Sequence, residues 1–305
     1  MMDKILVPLD GSELGELALV YAAELAISLN SETHLVSSCE KSSKEDQHMC
    51  DLYLHKVAEK FRSQLKEAGT ILPVKTVAVA GEPSGAILDY AEKQGIGLII
   101  IVSHGRSGIM PWATGGTANK IIHRAPMPVL LVRAAIPASS MKTGLFTKIL
   151  VTLDGSKMGE AVLPYVQAIA RKLTCQVVLL RVVEPVQHLH SIALDQLRLP
   201  EQDVVAMQAE AKSYLARIQG EAESYLIGAR QRCGEIRDSV RMVLKTGDAA
   251  REILNVAEEE DVNLVAMSSH GKTGMTQWML GSVSNKILQA GKTPLLLVKP
   301  TEIIG

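Results

Sequence analysis

Gly271 is followed by nine other residues and then by Gly281 and Ser282, within the stretch SSHGKTGMTQWMLGS that spans positions 268–282. Glycines and a hydroxyl at this spacing suit the holding of an anion. A helix that opens at Gly281 and Ser282 leaves its first N–H groups unpaired and carries partial positive charge there. The Ser282 hydroxyl adds a donor. Gly271 and Gly274 permit a close backbone approach that a β-carbon would forbid, and Lys272 adds a cation. Asp154, in the segment KILVTLDGS that starts at Lys148, suits acceptance from an amino or hydroxyl group rather than contact with phosphate. The competing reading is a tight turn followed by an ordinary helix cap.

The same residues occur twice. KILVPLDGS starts at Lys4 and KILVTLDGS at Lys148, and eight of the nine positions agree. VSHGRSGIMPWATGG, at 102–116, parallels the glycine loop, and NKIIHRAPMPVLLVR from Asn119 parallels NKILQAGKTPLLLVK from Asn285. The first pair of copies is 144 residues apart and the second 166, so the second half carries about 22 extra residues, best placed at 184–205. A period this long marks a duplicated domain rather than a solenoid. A loop that recurs, each time with a DGS, favours binding over an ordinary turn.

The elements that must position these residues alternate. In the second half TKILVTL reads as a buried strand, then a helix from Ser156 to about Leu173, capped by Ser156 or Asp154. CQVVLLRVV is a strand, 203–232 a long helix stopped at Cys233-Gly234, and IRDSVRMVLKTG a third strand. DAAREILNVAEEE is a helix opened by Asp248, VNLVAMSS a fourth strand, SVSNKILQAG a helix and TPLLLVKP the last strand. Alternation of this kind argues for a parallel sheet covered on both faces. Right-handed crossovers put the strand C-termini on one edge, where ligands bind. DGS and the glycine loop follow the first and fourth strands and so share that edge. PVLLV and PLLLV are apolar edge strands expected to pack on each other. AAIPASSMKTGLF, at 134–146, reads as the linker between domains at 1–135 and 146–301.

Other chemistries find less support. The chain has no G-x-x-x-x-G-K-[ST] and no G-x-G-x-x-G after its first strand, which excludes a P-loop and a dinucleotide fingerprint. His104 and His270 open the two loops, and a hydrogen-bonding or packing role is expected of them. Trp112 and Trp278 read as apolar anchors. His188 and His190, in the insert, are a weak metal pair. Lys and Arg number 32 against 33 Asp and Glu, and aromatics are 3% of 305 residues. Nucleic acid and anionic membrane are therefore not expected partners. Cys39, Cys50, Cys175 and Cys233 form no CxxC pair, and free, buried thiols in a reducing cytosol are expected. The N-terminus is a poor signal peptide and LIIIV, at 98–102, is too short to span a bilayer, so a soluble cytoplasmic protein is expected.

Together, KILVxLDGS, SSHGKTG…LGSVSNKIL and TPLLLVKP resemble the universal stress protein family across nearly the whole chain, as two tandem α/β domains; only the insert and the linker fall outside. The resemblance implies a five-stranded parallel sheet of order 3-2-1-4-5 in each domain. It implies ATP or another adenine nucleotide as ligand in the binding subset, with Mg²⁺ on the phosphates; some members bind no nucleotide. The family pattern is G-x2-G-x9-G-[ST], for which the second half reads Ser268, Gly271, Gly281 and Ser282. By resemblance Thr152, Asp154 and Met267 border adenine and ribose, and the Val182 backbone meets adenine. Gly271, Gly281, Ser282 and the Val283 backbone hold phosphates. The first half keeps Asp10 but reads Val102, Gly105, Gly115 and Gly116, with Thr117 one place late, so its loop is degenerate and the second site is the better one. The expected function is that of an ATP-binding stress-response regulator built as an intramolecular pseudo-dimer, with further homodimerisation. The alternatives are a slow ATPase, for which no base is evident, and a scaffold without nucleotide.

Overall fold

The run LIIIV has no polar side chain to offer solvent, and it forms β4 (Leu98–Val102) with all five residues buried. Such runs suit parallel strands covered on both faces. The structure is a computed structural model and describes residues 1–39, 44–103, 116–133, 144–185, 201–271 and 280–300. The first half runs β1 (Lys4–Leu9), α1 (Glu13–Glu16), α2 (Ala18–Leu29), β2 (Glu32–Cys39), α3 (Lys44–Glu67), β3 (Val74–Ala80), α4 (Pro83–Gln94), β4, α5 (Thr117–Arg124) and β5 (Val129–Val132). The second runs β6 (Lys148–Thr152), α6 (Leu163–Leu173), β7 (Gln176–Val183), α7 (Glu201–Arg232), β8 (Val240–Thr246), α8 (Ala249–Glu259), β9 (Leu264–Ser268), α9 (Ser282–Ala290) and β10 (Leu295–Val298).

The ten strands form one sheet of order β3-β2-β1-β4-β5-β10-β9-β6-β7-β8. Each half has the expected order 3-2-1-4-5 with every neighbour parallel. The halves meet at the two strands read as apolar edges: β5 and β10 pair antiparallel, with Leu131 opposite Leu295, Leu130 opposite Leu296 and Val129 opposite Leu297. One core, on the face of α2, α3, α6 and α7, takes Leu130 and Leu296. The other, on the face of α4, α5, α8 and α9, takes Leu131, Leu295 and Leu297. Both cores therefore run through the seam. The far end of the linker is docked as well. Phe146 is buried with its ring edge-on to Tyr21 at 5.8 Å, and the Glu24 carboxylate accepts the N–H groups of Gly144, Leu145 and Phe146 at 3.0–3.3 Å.

Three expectations are corrected. The helix expected from Ser156 begins later, because Ser156 accepts the Gly159 N–H at 2.9 Å and one 3-10 turn (Gly159–Val162) precedes α6. The third strand of the second half begins at Val240 rather than Ile236, since the chain turns through Gly234 at φ 56 and winds into a 3-10 helix (Gly234–Ser239). Cys39 and Cys50, expected as scattered thiols, are brought side by side by the packing of α3 beside the end of β2, their Cα atoms 7.0 Å apart. Cys175 and Cys233 are free and buried. Most of the insert and linker lies outside the described residues, but the insert's end, from Glu201, is the start of α7. Among the described residues no helix is long and apolar enough to cross a membrane.

Leu130 and Leu296, each 1% exposed, face one another across the seam. Leu130→Ala and Leu296→Ala are each expected to lower the unfolding free energy by about 2–5 kcal/mol. Urea titration of the single and double variants should give a coupling of about 0.5–3 kcal/mol; strict additivity would mean that the two leucines do not share one packed seam.

Candidate functional site

Where β6, β7 and β9 end, the second half holds a cavity of about 320 Å³, near the lower end of the ~300–1,000 Å³ common for small-molecule sites. Its floor includes Leu180, Val182, Ile253 and Met267, and its rim Asp154, Glu184, Ser268, Gly271, Gly281 and Ser282. All nine second-half residues named from the sequence belong to its wall: Thr152, Asp154, Val182, Met267, Ser268, Gly271, Gly281, Ser282 and Val283. In the first half Asp10 follows β1, and Gly116 and Thr117 open α5. Gly105 and Gly115 lie outside the described residues, as do His104, Trp112, His188, His190, Lys272, Gly274 and Trp278.

Asp154 is set by the turn that follows β6. Gly155, at φ 85, makes the reversal that a β-carbon would strain. Oδ1 of Asp154 then accepts the Ser156 N–H at 3.0 Å and its hydroxyl at 2.6 Å. Two glycines close on the carboxylate. A β-carbon at Gly159 would overlap Oδ1, and one at Gly271 would overlap Oδ2. The side chain is thus seated before any ligand arrives. Asp10 repeats the arrangement with Ser12, at 3.0 and 2.5 Å, and Gly15.

Another part of the cavity wall is the start of α9. Its N-cap, Gly281, is extended (φ −61, ψ 158) and no side chain caps the helix. The Gly281 N–H donates to the Ser269 carbonyl at 2.9 Å, and the Ser284 hydroxyl donates to the same oxygen at 3.0 Å, so the helix start is tied to the end of β9. Among the described residues a β-carbon at Gly281 would meet Ser269 O at 3.4 Å and Ser284 Oγ at 3.5 Å, both ordinary contacts, and would narrow the approach from the cavity. The Ser268 hydroxyl is buried and has no hydrogen-bond partner among the described residues, which costs free energy unless something in the cavity bonds it. His270 Nδ1 lies 2.9 Å from Ser269 Oγ, the hydrogen-bonding role expected of that histidine. In the first half the equivalent helix starts one residue later along the repeat, with Gly116 as N-cap and Thr117 in the first helical position.

Sequence reasoning missed three parts of this wall. Glu184, read only as the start of the insert, accepts the Ala249 N–H at 3.2 Å at the opening of α8. Arg181 reaches the Leu153 carbonyl at 3.4 Å and lies against Gly155; burial pulls its pKa down, and Asp154 opposes that. Gly159 was legible, since DGSELGE and DGSKMGE both carry the glycine. No group of three or more His, Cys, Asp or Glu side chains able to hold a metal occurs among the described residues.

The chain has relatives among known proteins. The profile of the Universal stress protein family matches residues 1–133 and 145–299. Universal stress protein YxiE of Bacillus subtilis is 29% identical over 155 residues, 51% of this chain and all of that one. Universal stress protein Mb2028c of Mycobacterium bovis is 25% identical over 245 residues, 79% of this chain and 74% of that one. The crystal structure of a universal stress protein from Archaeoglobus fulgidus superposes with a TM-score of 0.64 at 20% identity, over 99% of this chain and 100% of that one. The chain belongs to the universal stress protein family.

The contact between Gly271 and Asp154 can be tested by itself. Gly271→Ala is expected to cost about 1–3 kcal/mol of stability through overpacking. In an Asp154→Ala background the cost should fall by more than half, read from the midpoints of chemical denaturation. An equal cost in both backgrounds would show that the carboxylate is not what Gly271 makes room for.

Proposed function

We propose that this member of the universal stress protein family binds an adenine nucleotide, ATP foremost, in the second-half cavity, and acts as a cytoplasmic regulator of the stress response. One observation carries the reading: the uncapped start of α9 and the unpartnered Ser268 hydroxyl line the same apolar-floored cavity. A polyanion joined to a flat, partly apolar base satisfies all three features together. The N–H groups at the start of α9 and the Ser282 hydroxyl would take phosphate oxygens. Asp154, a fixed acceptor, would take a ribose hydroxyl or the adenine amino group. Val182 and Met267 would face the base, and Mg²⁺ would be carried by the phosphates.

Binding suits these residues better than turnover. His270 lines the cavity with its Nδ1 2.9 Å from the Ser269 hydroxyl, and Glu184 is turned to the Ala249 N–H. Asp154 is enclosed by glycines. Regulation then follows from differential affinity: nucleotide shifts the protein only as far as it prefers one conformation over another. The first half keeps the acceptor Asp10 and a helix start at Thr117, but places Val102 where the second half has Ser268, so it is the weaker site.

Calorimetric titration of the full chain with ATP tests the assignment. The wild type should bind, and Gly281→Ala combined with Ser282→Ala should weaken binding by about 10- to 100-fold, the loss expected for one or two charge-assisted hydrogen bonds. Equal affinity in the two proteins would place the phosphates elsewhere.

A further inference from the structure

Arg133 follows β5 in the first half and is buried, at 6% exposure. Its guanidinium crosses the seam into the second half. Nη1 donates to the Leu288 carbonyl at 2.9 Å, Nη2 to that of Ile287 at 3.2 Å and Nε to that of Thr293 at 3.4 Å. Ile287 and Leu288 belong to the last turn of α9; the Ile287 carbonyl also accepts the Gly291 N–H at 2.9 Å, and Arg133 is a second donor to it. Burial pulls the guanidinium's pKa down to about 10; what faces this charge among the described residues is the negative end of a helix dipole. Gly291 leaves the room. A β-carbon there would stand 2.7 Å from the Ile287 oxygen and 3.3 Å from Arg133 Nη2.

The other end of α9 is the uncapped start that lines the cavity. We infer that Arg133 is a positioning residue for the second-half nucleotide site: it fixes α9 along its axis from the first half, and so sets where the N–H groups of Ser282 and Val283 meet phosphate. The inference rests on the reading of that site given above. A helix of nine residues is about 13 Å long and moves as one body, so an axial shift at Ile287 is an equal shift at Ser282. The reciprocal contact exists too. Lys299, which follows β10 as Arg133 follows β5, donates to the His123 carbonyl in the last turn of α5 at 2.7 Å. Each half therefore holds the loop helix of the other, and the planar fork of arginine holds the helix of the better site.

The test compares ATP with adenosine, because α9 touches only the phosphates in this reading. Arg133→Met should weaken ATP about 5- to 10-fold, within the usual span of coupling between sites, and leave adenosine within about twofold by the same measure. Arg133→Lys should recover part of the loss. Lys299→Met should leave ATP affinity at the second site unchanged. Arg133→Gln, which keeps a polar head but removes the charge, should reproduce the selective loss if Arg133→Met folds poorly. Hydrogen exchange should speed up at the α9 amides of Arg133→Met while those of β6 keep their protection. Equal loss of ATP and adenosine, or an α9 as protected as in the wild type, would overturn the inference. A wild type that binds neither ligand would instead sink the reading of the site itself, and the inference with it. A wild type that binds ATP no better than Arg133→Met leaves that reading standing and removes the inference alone.

Discussion

A five-stranded parallel sheet leaves an apolar strand bare along one side, and a bare strand seeks a partner. Here the two such strands, β5 and β10, with every residue buried, are paired with each other in one chain. Everything else about the arrangement follows from their antiparallel direction. The strands of the first half and those of the second point opposite ways, so the edges where strands end, and where ligands of such sheets bind, lie at opposite ends of the molecule. The two candidate sites cannot share a ligand. Whatever passes between them passes through the seam: the cores on either face, the Glu24 carboxylate on the linker's backbone, and the cations at the ends of β5 and β10.

The duplication supplies one frame twice, and the halves differ where ligand chemistry would act. The seat of the acidic residue is repeated closely, with Asp10 on Ser12 and Gly15 in one half and Asp154 on Ser156 and Gly159 in the other. A second support is repeated on the helix face behind it. Tyr53 and Lys60 reach Glu16, and Arg232 reaches Glu160 at 2.7 Å beside Tyr225. The N-caps of α4 and α8 also match: Glu82 takes Lys120 and Asp248 takes Lys286, each at 3.0–3.1 Å. What is not repeated is the end of the fourth strand and the start of the next helix, Val102 against Ser268 and Gly116 against Ser282. A methyl-bearing side chain where the other half has a hydroxyl removes a donor and narrows the approach. Ser268 and Ser282, the second-half members of these two pairs, both line the cavity.

Much of this was legible in the residues. Apolar runs such as LIIIV can only be strands buried on both faces, and Asp248 before AAREIL is a helix start that the Arg251 N–H confirms at 2.9 Å. Strand alternation placed DGS and the glycine loop at one edge, the family resemblance named nine residues there, and all nine line one cavity. What stayed hidden depends on packing angles that no local pattern encodes. Cys39 and Cys50 meet because of how α3 lies beside β2. Arg133 and Lys299 read as ordinary polar residues after a strand, since the carbonyls they meet are about 155–176 residues away and only the fused sheet brings them close. The first turn after DGS was misjudged because Ser156 gives its oxygen to Gly159, and a helix cannot begin until that cap is made.

The α9 helix shows why a site of this kind needs support from outside its own half. An anion at a helix start is stabilised by about 0.3–2 kcal/mol through the dipole, and unpaired N–H groups add to it only if their direction is held. A nine-residue helix is too short to hold itself, because isolated helices below about 12–15 residues are marginal in water. Its fixed points must be tertiary. Ser284 and the Gly281 N–H tie its start to Ser269, Lys286 ties its side to Asp248, and Ile287 and Leu288 are buried beneath it. These ties all belong to the second half and fix where the helix lies on the sheet. The charge at the far end comes from the other half. A positive group there and a polyanion at the start both lower the energy of the same dipole, so each favours the orientation that the other needs. In a chain whose halves face opposite ways, that dipole is a direct physical link from one half to the ligand site proposed for the other.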